Sequence, residues 1–262
     1  MCNLIFANII RIKKSKLLWT GIIVSALYTT FLLIMNYLEM VYSVAITTVS
    51  LNWFFFSAIS VSSIFCPIYS GFFVGTEYSN GTIRNKLIAG HKRCNIYFAN
   101  AITIFCAECL LFLVSAGIII VLGIPMFGFN IKYLSHFIWH LFAGILMLAV
   151  FASMFTMVST SISNKTSSVA SCLIIYAVLF IIAKYLSITI FSYYGEVPLG
   201  GISNKLAKIT SEFLYDFLPT SQSLQITSGV ILHPHSFFLC SFVNIVLTTV
   251  LGLFLFKRKD IK

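Results

Sequence analysis

Few side chains in this sequence have the type and spacing for chemistry. Cys106 and Cys109 form a Cys-x-x-Cys pair around Glu108. Such pairs serve redox exchange or zinc binding in a redox fold or beside a second pair. Here the run around them is apolar and no second pair exists, so packing is expected. The other cysteines are Cys2, Cys66, Cys94, Cys172 and Cys240. Seven is odd, and none falls in a candidate outer loop, so no disulfide framework is indicated. His136 and His140 have the i, i+4 spacing of metal ligands, and His233 and His235 belong to the same predicted side. No carboxylate accompanies them, and no metal site is expected. Intramembrane hydrolysis needs a polar group set at depth, such as paired acids or Ser with His. Glu108 alone is deep, so no catalytic residue is expected.

Glu108 itself has two readings. A charged carboxylate at mid-bilayer costs roughly 2.5–3.5 kcal/mol on insertion scales, so it must be protonated or face polar company. It is either a substrate or proton contact in a translocation path, or an acid hydrogen-bonded between helices.

The elements that must position these residues follow from composition. Of 262 residues, 59% are apolar and 9% charged, against about 25% charged in an ordinary soluble domain. That excludes soluble enzymes, disordered chains and nucleic-acid binders. A bilayer core takes about 20 apolar residues per helix. Six stretches qualify, at 17–38, 53–75, 96–124, 134–159, 168–191 and 237–256. Strand-period alternation is absent, so the expected fold is all-α. The chain reads as a single transmembrane domain over 1–262.

Charge sets the expected orientation. With both termini cytoplasmic, thirteen of the seventeen Lys and Arg lie on the inner side. Four lie outside, namely Lys132, Lys184, Lys205 and Lys208. This is a strong positive-inside pattern, and the net charge of +10 is mainly a topology signal with affinity for anionic lipids. Trp19, Trp53 and Trp139 fall near span ends, where amphipathic rings prefer the interface. No cleavage pattern of a signal peptide is evident. In the lead, residues 1–16, Ile5, Ile9 and Ile12 share one helical face and Asn8, Arg11 and Ser15 the other. It is either an interfacial helix or a basic flank that orients the first span.

The loop at 76–95 is the most informative segment. Asn80-Gly81 is a turn dipeptide. Thr82 can cap a helix starting at Ile83, and Gly90 can end it. A helix of about seven residues is too short to stand alone in water. Caps at both ends favour docking against a partner over a plain basic turn. No G-x-x-x-x-G-K-[ST] loop occurs anywhere in the chain. The cytoplasmic pieces are also far below the ~50 residues of a domain. Any ATP chemistry must come from another chain.

The stretch from Glu77 to Arg93, EYSNGTIRNKLIAGHKR, resembles the loop of bacterial ABC-2-type transporter permeases. The resemblance extends over the chain in layout: basic lead helix, six spans, this loop and a large outer segment. It implies a coupling helix seated in a separate nucleotide-binding ATPase subunit, which supplies ATP and Mg. Glu77, Thr82, Ile83, Arg84, Asn85, Lys86, Leu87, Gly90 and His91 would then be the ATPase-coupling residues. It implies that the lead is an interfacial elbow. It also implies a homodimer or a pair with a paralogous permease, because one coupling helix engages one of two nucleotide-binding subunits. The expected activity is export of a hydrophobic or amphipathic peptide, antibiotic or lipid-like substrate across a bacterial plasma membrane. A secondary transporter or channel is the rival, but that class usually shows internal repeats and several intramembrane charges.

The outer segment, 192–236, begins irregularly with Gly195, Pro198, Gly200 and Gly201. Leu206, Ile209, Phe213 and Phe217 then recur at helical spacing. Lys205, Lys208, Glu212 and Asp216 fill much of the other face, and Pro219 ends the helix. The resemblance implies helices that re-enter the outer leaflet; the alternative is a surface lid. In span two, Gly71-x-x-x-Gly75 permits close helix approach and Pro67 is a kink site. Asn36, Ser60, Ser62, Ser63, Ser153 and Ser159 either line a polar path or bond neighbouring helices.

Overall fold

The computed structural model describes residues 2–42, 50–129, 131, 133–193 and 205–260. Lys132, Gly195, Pro198, Gly200, Gly201 and Lys262 lie outside the described residues, as do the side chains of Lys205 and Leu206. The described residues are helical, with no strand among them. In chain order the helices are α1 (Cys2–Lys13), α2 (Lys16–Tyr42), α3 (Leu51–Ser79), α4 (Thr82–Ile88) and α5 (Arg93–Ile118). A π turn (Ile119–Gly123) continues α5 into α6 (Ile124–Phe127). Then come α7 (Leu134–Ser161), α8 (Lys165–Tyr193), α9 (Lys205–Phe217), α10 (Pro219–Ser228) and α11 (Pro234–Arg258).

Among the described residues, six helical runs are long and apolar enough to cross a membrane: α2, α3, α5 through α6, α7, α8 and α11. Each contains one of the six apolar stretches and overruns it by a few residues, because polar flanks continue the backbone hydrogen bonding. The π turn precedes Pro125, which has no N–H to offer the Val121 carbonyl; a wider turn absorbs the missing bond. α3 runs unbroken through Pro67.

α3 is the most enclosed span and packs against α2, α5, α7, α8 and α10. Gly71 and Gly75 let α8 lie directly on its backbone. A Cβ at Gly71 would stand 2.7 Å from the Val169 Cα, and one at Gly75 would stand 2.9 Å from the Lys165 Cα. Ser70 and Ser159 join α3 to α7 at 2.8 Å, and Thr248 donates to Ser153 at 2.9 Å between α11 and α7. These serines therefore bond helices together. Ser62 and Ser63 donate to carbonyls of their own helix, as does the Asn36 amide.

One end of the bundle carries α1, α4 and the basic helix ends. There Arg93 donates to the carbonyls of Phe256, Lys257 and Lys259 and closes the end of α11. Lys259 donates to the Thr160 carbonyl at 2.9 Å and lies 3.9 Å over the Tyr78 ring.

The opposite end carries α9 and α10. Pro219 ends α9 and opens α10, as its missing N–H allows. Thr220 donates to the Leu179 carbonyl, and Asn244 donates to the Phe217 carbonyl. Leu179 is about 20 Å from either end of α8 at 1.5 Å per residue, and Asn244 is about 15 Å into α11. The turn between α9 and α10 is thus bonded near the middle of α8 and of α11. Asp216 beneath it is buried, receiving Gln225 Nε2 at 3.1 Å and His233 Nδ1 at 3.2 Å.

The two faces of α9 read from the sequence are turned with the apolar one outward. Ile209 and Phe213 are exposed, while Tyr215 and Asp216 are buried. Lys208 and Glu212 pair at 3.7 Å as their spacing predicts. Beside a lipid-facing bundle the apolar stripe meets an apolar solvent, so the polar stripe turns inward.

Candidate functional site

The site is built around Glu77, two residues before the end of α3. α3 spans 29 residues, about 43 Å, so its last turn extends beyond a 30 Å hydrocarbon core. A carboxylate is affordable there if paired. Glu77 is 0% exposed. Its Oε1 takes Arg11 Nη1 at 2.6 Å and the Lys86 ammonium. Its Oε2 accepts from Asn100 Nδ2 at 2.8 Å. Asn8 Nδ2 donates to Asn100 Oδ1 at 2.8 Å, and Lys86 Nζ donates to Asn8 Oδ1 at 3.1 Å. Glu77, Lys86, Asn8 and Asn100 therefore close a ring of hydrogen bonds drawn from α3, α4, α1 and α5. Arg11 also donates to the Phe73 carbonyl at 2.8 Å and lies 3.9 Å over the Phe73 ring. Charge-assisted bonds of this kind are the strong ones, and a fully satisfied network fixes its members.

α1 supplies Asn8 and Arg11 because of how its faces are divided. Leu4, Asn8 and Ile12, at i, i+4 and i+8, are buried, whereas Phe6, Ile9 and Ile10 are exposed. The division differs from the expected one: Ile12 sides with Asn8, and the polar stripe is the inward one. Ser15 then caps α2, accepting from the Leu18 N–H at 3.3 Å.

α4 has the expected length of seven residues but a different start. Thr82 does not cap it. Gly81, at φ +65°, is the N-cap, and no side chain caps the helix. The Asn80-Gly81 turn already places a left-handed residue at the junction, where glycine costs least, so Thr82 becomes the first helical residue. At the other end Gly90, at φ +84°, donates to the Leu87 carbonyl, and His91 N–H donates to the Lys86 carbonyl. That is a Schellman closure, as the glycine predicts.

The sequence-predicted coupling residues divide by direction. Glu77 and Ile83 are fully inside, and Lys86 and Leu87 are half-buried. Ile83 and Leu87 pack with Leu4, Ile96, Tyr97 and Phe256. Arg84, Asn85 and Gly90 face outward, and Thr82 and His91 lie at the margin. Glu77 and Lys86 therefore hold α4 from within. Sequence reasoning missed Ile88, 75% exposed at the tip of α4. It also missed Asn100 as a partner of Glu77; nothing local to Asn100 marks it. The signal for Asn8 and Arg11 was present as a polar stripe, without its destination.

Glu108 is elsewhere, about 22 Å along α5 and 0% exposed. Neither carboxyl oxygen makes a hydrogen bond of normal geometry, and the Cys66 thiol of α3 lies beside it. Cys106 is exposed and Cys109 half-buried, and both are free thiols. No group of three or more His, Cys, Asp or Glu among the described residues is placed to hold a metal ion. Ser60 receives the Thr227 hydroxyl at 2.6 Å and borders a groove of about 150 Å³ with Tyr28, Ile64, Tyr176 and Phe180.

No protein-family model matches the sequence, and no curated protein matches it.

Proposed function

We propose that the chain is the membrane subunit of an ATP-driven exporter of the ABC-2 type, and that α4 is its coupling helix. The observation that carries this reading is the ring around Glu77. A seven-residue helix has no stability of its own, yet here it is locked from beneath to α1, α3 and α5 while Arg84, Asn85 and Ile88 stay exposed. A helix held so is a rigid handle. A force on it reaches spans two and three directly, and reaches spans four and six through Tyr78, Arg93 and Lys259. The partner is a separate nucleotide-binding ATPase with Mg-ATP, and two permease copies, identical or paralogous, complete the transporter. ATP closure would draw the two docked handles together and shift the bundle between two states. The chain itself is not an enzyme in this reading.

The remaining parts fit the same scheme. α1 is an interfacial elbow with Phe6, Ile9 and Ile10 toward lipid. α9 and α10 are re-entrant helices, since their junction bonds to the mid-helix Leu179 carbonyl of α8 and α9 is tied to mid-α11 by Asn244. Both termini are cytoplasmic and the membrane is a bacterial plasma membrane. The substrate is a hydrophobic or amphipathic peptide, antibiotic or lipid-like molecule.

The test is purification of the full chain from its native membranes with mass spectrometry of what accompanies it. A phosphate-loop ATPase should co-purify with the unaltered chain and be lost from Arg84→Glu and Ile88→Asp, with both variants still monodisperse. If no ATPase accompanies the chain, or both variants retain it, the reading is wrong.

A further inference from the structure

At the end opposite α4, α7 begins with His136 and His140 one turn apart. Their ring centroids are 3.8 Å apart, and Phe56 of α3 stacks on His140 at 4.9 Å. Beside them lies a cavity of about 510 Å³, bordered by His136, His140, His235, Trp139, Phe238 and residues 229–231. That size falls within the ~300–1,000 Å³ of small-molecule pockets, which are mostly apolar with a few placed polar groups.

The placed group is His140. It is 4% exposed, and its Nδ1 lies 2.9 Å from the His136 carbonyl. A carbonyl only accepts, so Nδ1 carries the hydrogen. In the neutral ring Nε2 is then a bare acceptor. It is buried without a hydrogen-bond partner, and the Gly229 carbonyl close to the ring is a second acceptor. A carbonyl cannot donate to Nε2. A buried acceptor left so carries its desolvation cost with nothing to offset it. One water would satisfy it but takes up only about 30 Å³, a small part of this cavity, and leaves the Trp139 and Phe238 walls unmatched.

We propose that this cavity binds an amphiphile, with its apolar body against Trp139 and Phe238 and a head that donates a hydrogen bond to His140 Nε2. The head is a hydroxyl, amide or primary ammonium. Its source is either a lipid of the surrounding leaflet or a freely diffusing amphiphile. The inference does not depend on ATP-driven export.

The test uses the full chain in phosphatidylcholine vesicles, whose headgroups carry no hydrogen-bond donor. Trp19→Phe with Trp53→Phe leaves Trp139 as the fluorescent reporter. The probes are a dibrominated long-chain primary alcohol and its methyl ether, which quench on contact. The alcohol should quench saturably, with half-saturation about tenfold below that of the ether, the worth of one buried hydrogen bond. In His140→Phe the two probes should coincide, and His140→Gln, which keeps an acceptor, should restore part of the gap. Equal quenching by alcohol and ether with His140 in place overturns the proposal, and that comparison needs no His140 variant to fold. A gap that survives His140→Phe overturns it as well. Competition by added phosphatidylethanolamine identifies a leaflet lipid as the source, and competition by octyl glucoside alone identifies a free amphiphile. Competition by neither overturns the proposal.

Discussion

Glu77 shows how one carboxylate can hold a helix that has no stability of its own. It pairs with both the Arg11 and the Lys86 cations, and Asn100 satisfies its second oxygen. Removing one partner of a buried charge group costs about 3–5 kcal/mol, because the remaining charges are left unpaired. Glu77→Gln should therefore lower the melting temperature and speed amide exchange over 82–90, whereas Arg84→Ala, on the exposed face, should change stability by less than about 0.5 kcal/mol. Thermal unfolding in detergent with hydrogen–deuterium exchange compares the two; equal effects would remove Glu77 from its central place. Lys259 gives a pH signature at the same end. Burial lowers its ammonium pKa from the usual lysine value to about 8. Between about pH 8 and 10.5 the unfolded chain then binds the extra proton. Stability from this group is present above that window and is lost as pH falls through 8. The melting temperature should rise more steeply from pH 8 to 10 in the unaltered protein than in Lys259→Met.

At the scale of elements, α1 and α9 are both turned inside out by the standards of a soluble protein. Phe6, Ile9 and Ile10 face away from the bundle, as do Ile209 and Phe213, while Asn8 and Asp216 face in. With lipid outside there is nothing to gain by burying apolar stripes against other helices, and polar groups find partners only within. Close approach replaces hydrophobic drive between the spans, and α3 on α8 is the clearest case. Gly71→Leu must push the Val169 backbone away and should cost at least about 1–3 kcal/mol. Gly117, with open space around its missing Cβ, is the control: Gly117→Ala should be neutral or stabilising by up to about 1 kcal/mol. Melting temperatures of the two variants check this, and similar losses would mean that α3 and α8 are not in close contact.

For the whole molecule, α1, α4 and the ends of α5, α7 and α11 form one tied plate, and α9 and α10 pack together at the other end. The basic residues gather at the plate, and the proposed orientation puts it in the cytoplasm. Single cysteines in a background with the native cysteines replaced can test this with a membrane-impermeant maleimide. Ile88→Cys should react only after the membrane is opened, and Val230→Cys should react in intact cells. The reverse pattern would invert the topology and place α4 away from any cytoplasmic ATPase.

Much of this was legible along the chain. Spans can be read because a bilayer demands about 20 apolar residues in one run, a sum over neighbours in sequence. Gly90 as a helix stop and Gly71-x-x-x-Gly75 as a contact surface are local too, since a missing Cβ acts where it stands. The Thr82 cap was misplaced by one residue because Gly81 takes the left-handed position first. What only the tertiary structure decided is who meets whom. Glu77 finds Arg11 sixty-six positions away, and Asn8 finds Asn100 ninety-two positions away. His140 meets Gly229 and His235 across a cavity that no sequence window contains. Hydropathy adds up locally, whereas hydrogen bonds and ion pairs act over a few ångströms between helices whose register is fixed only when the bundle packs.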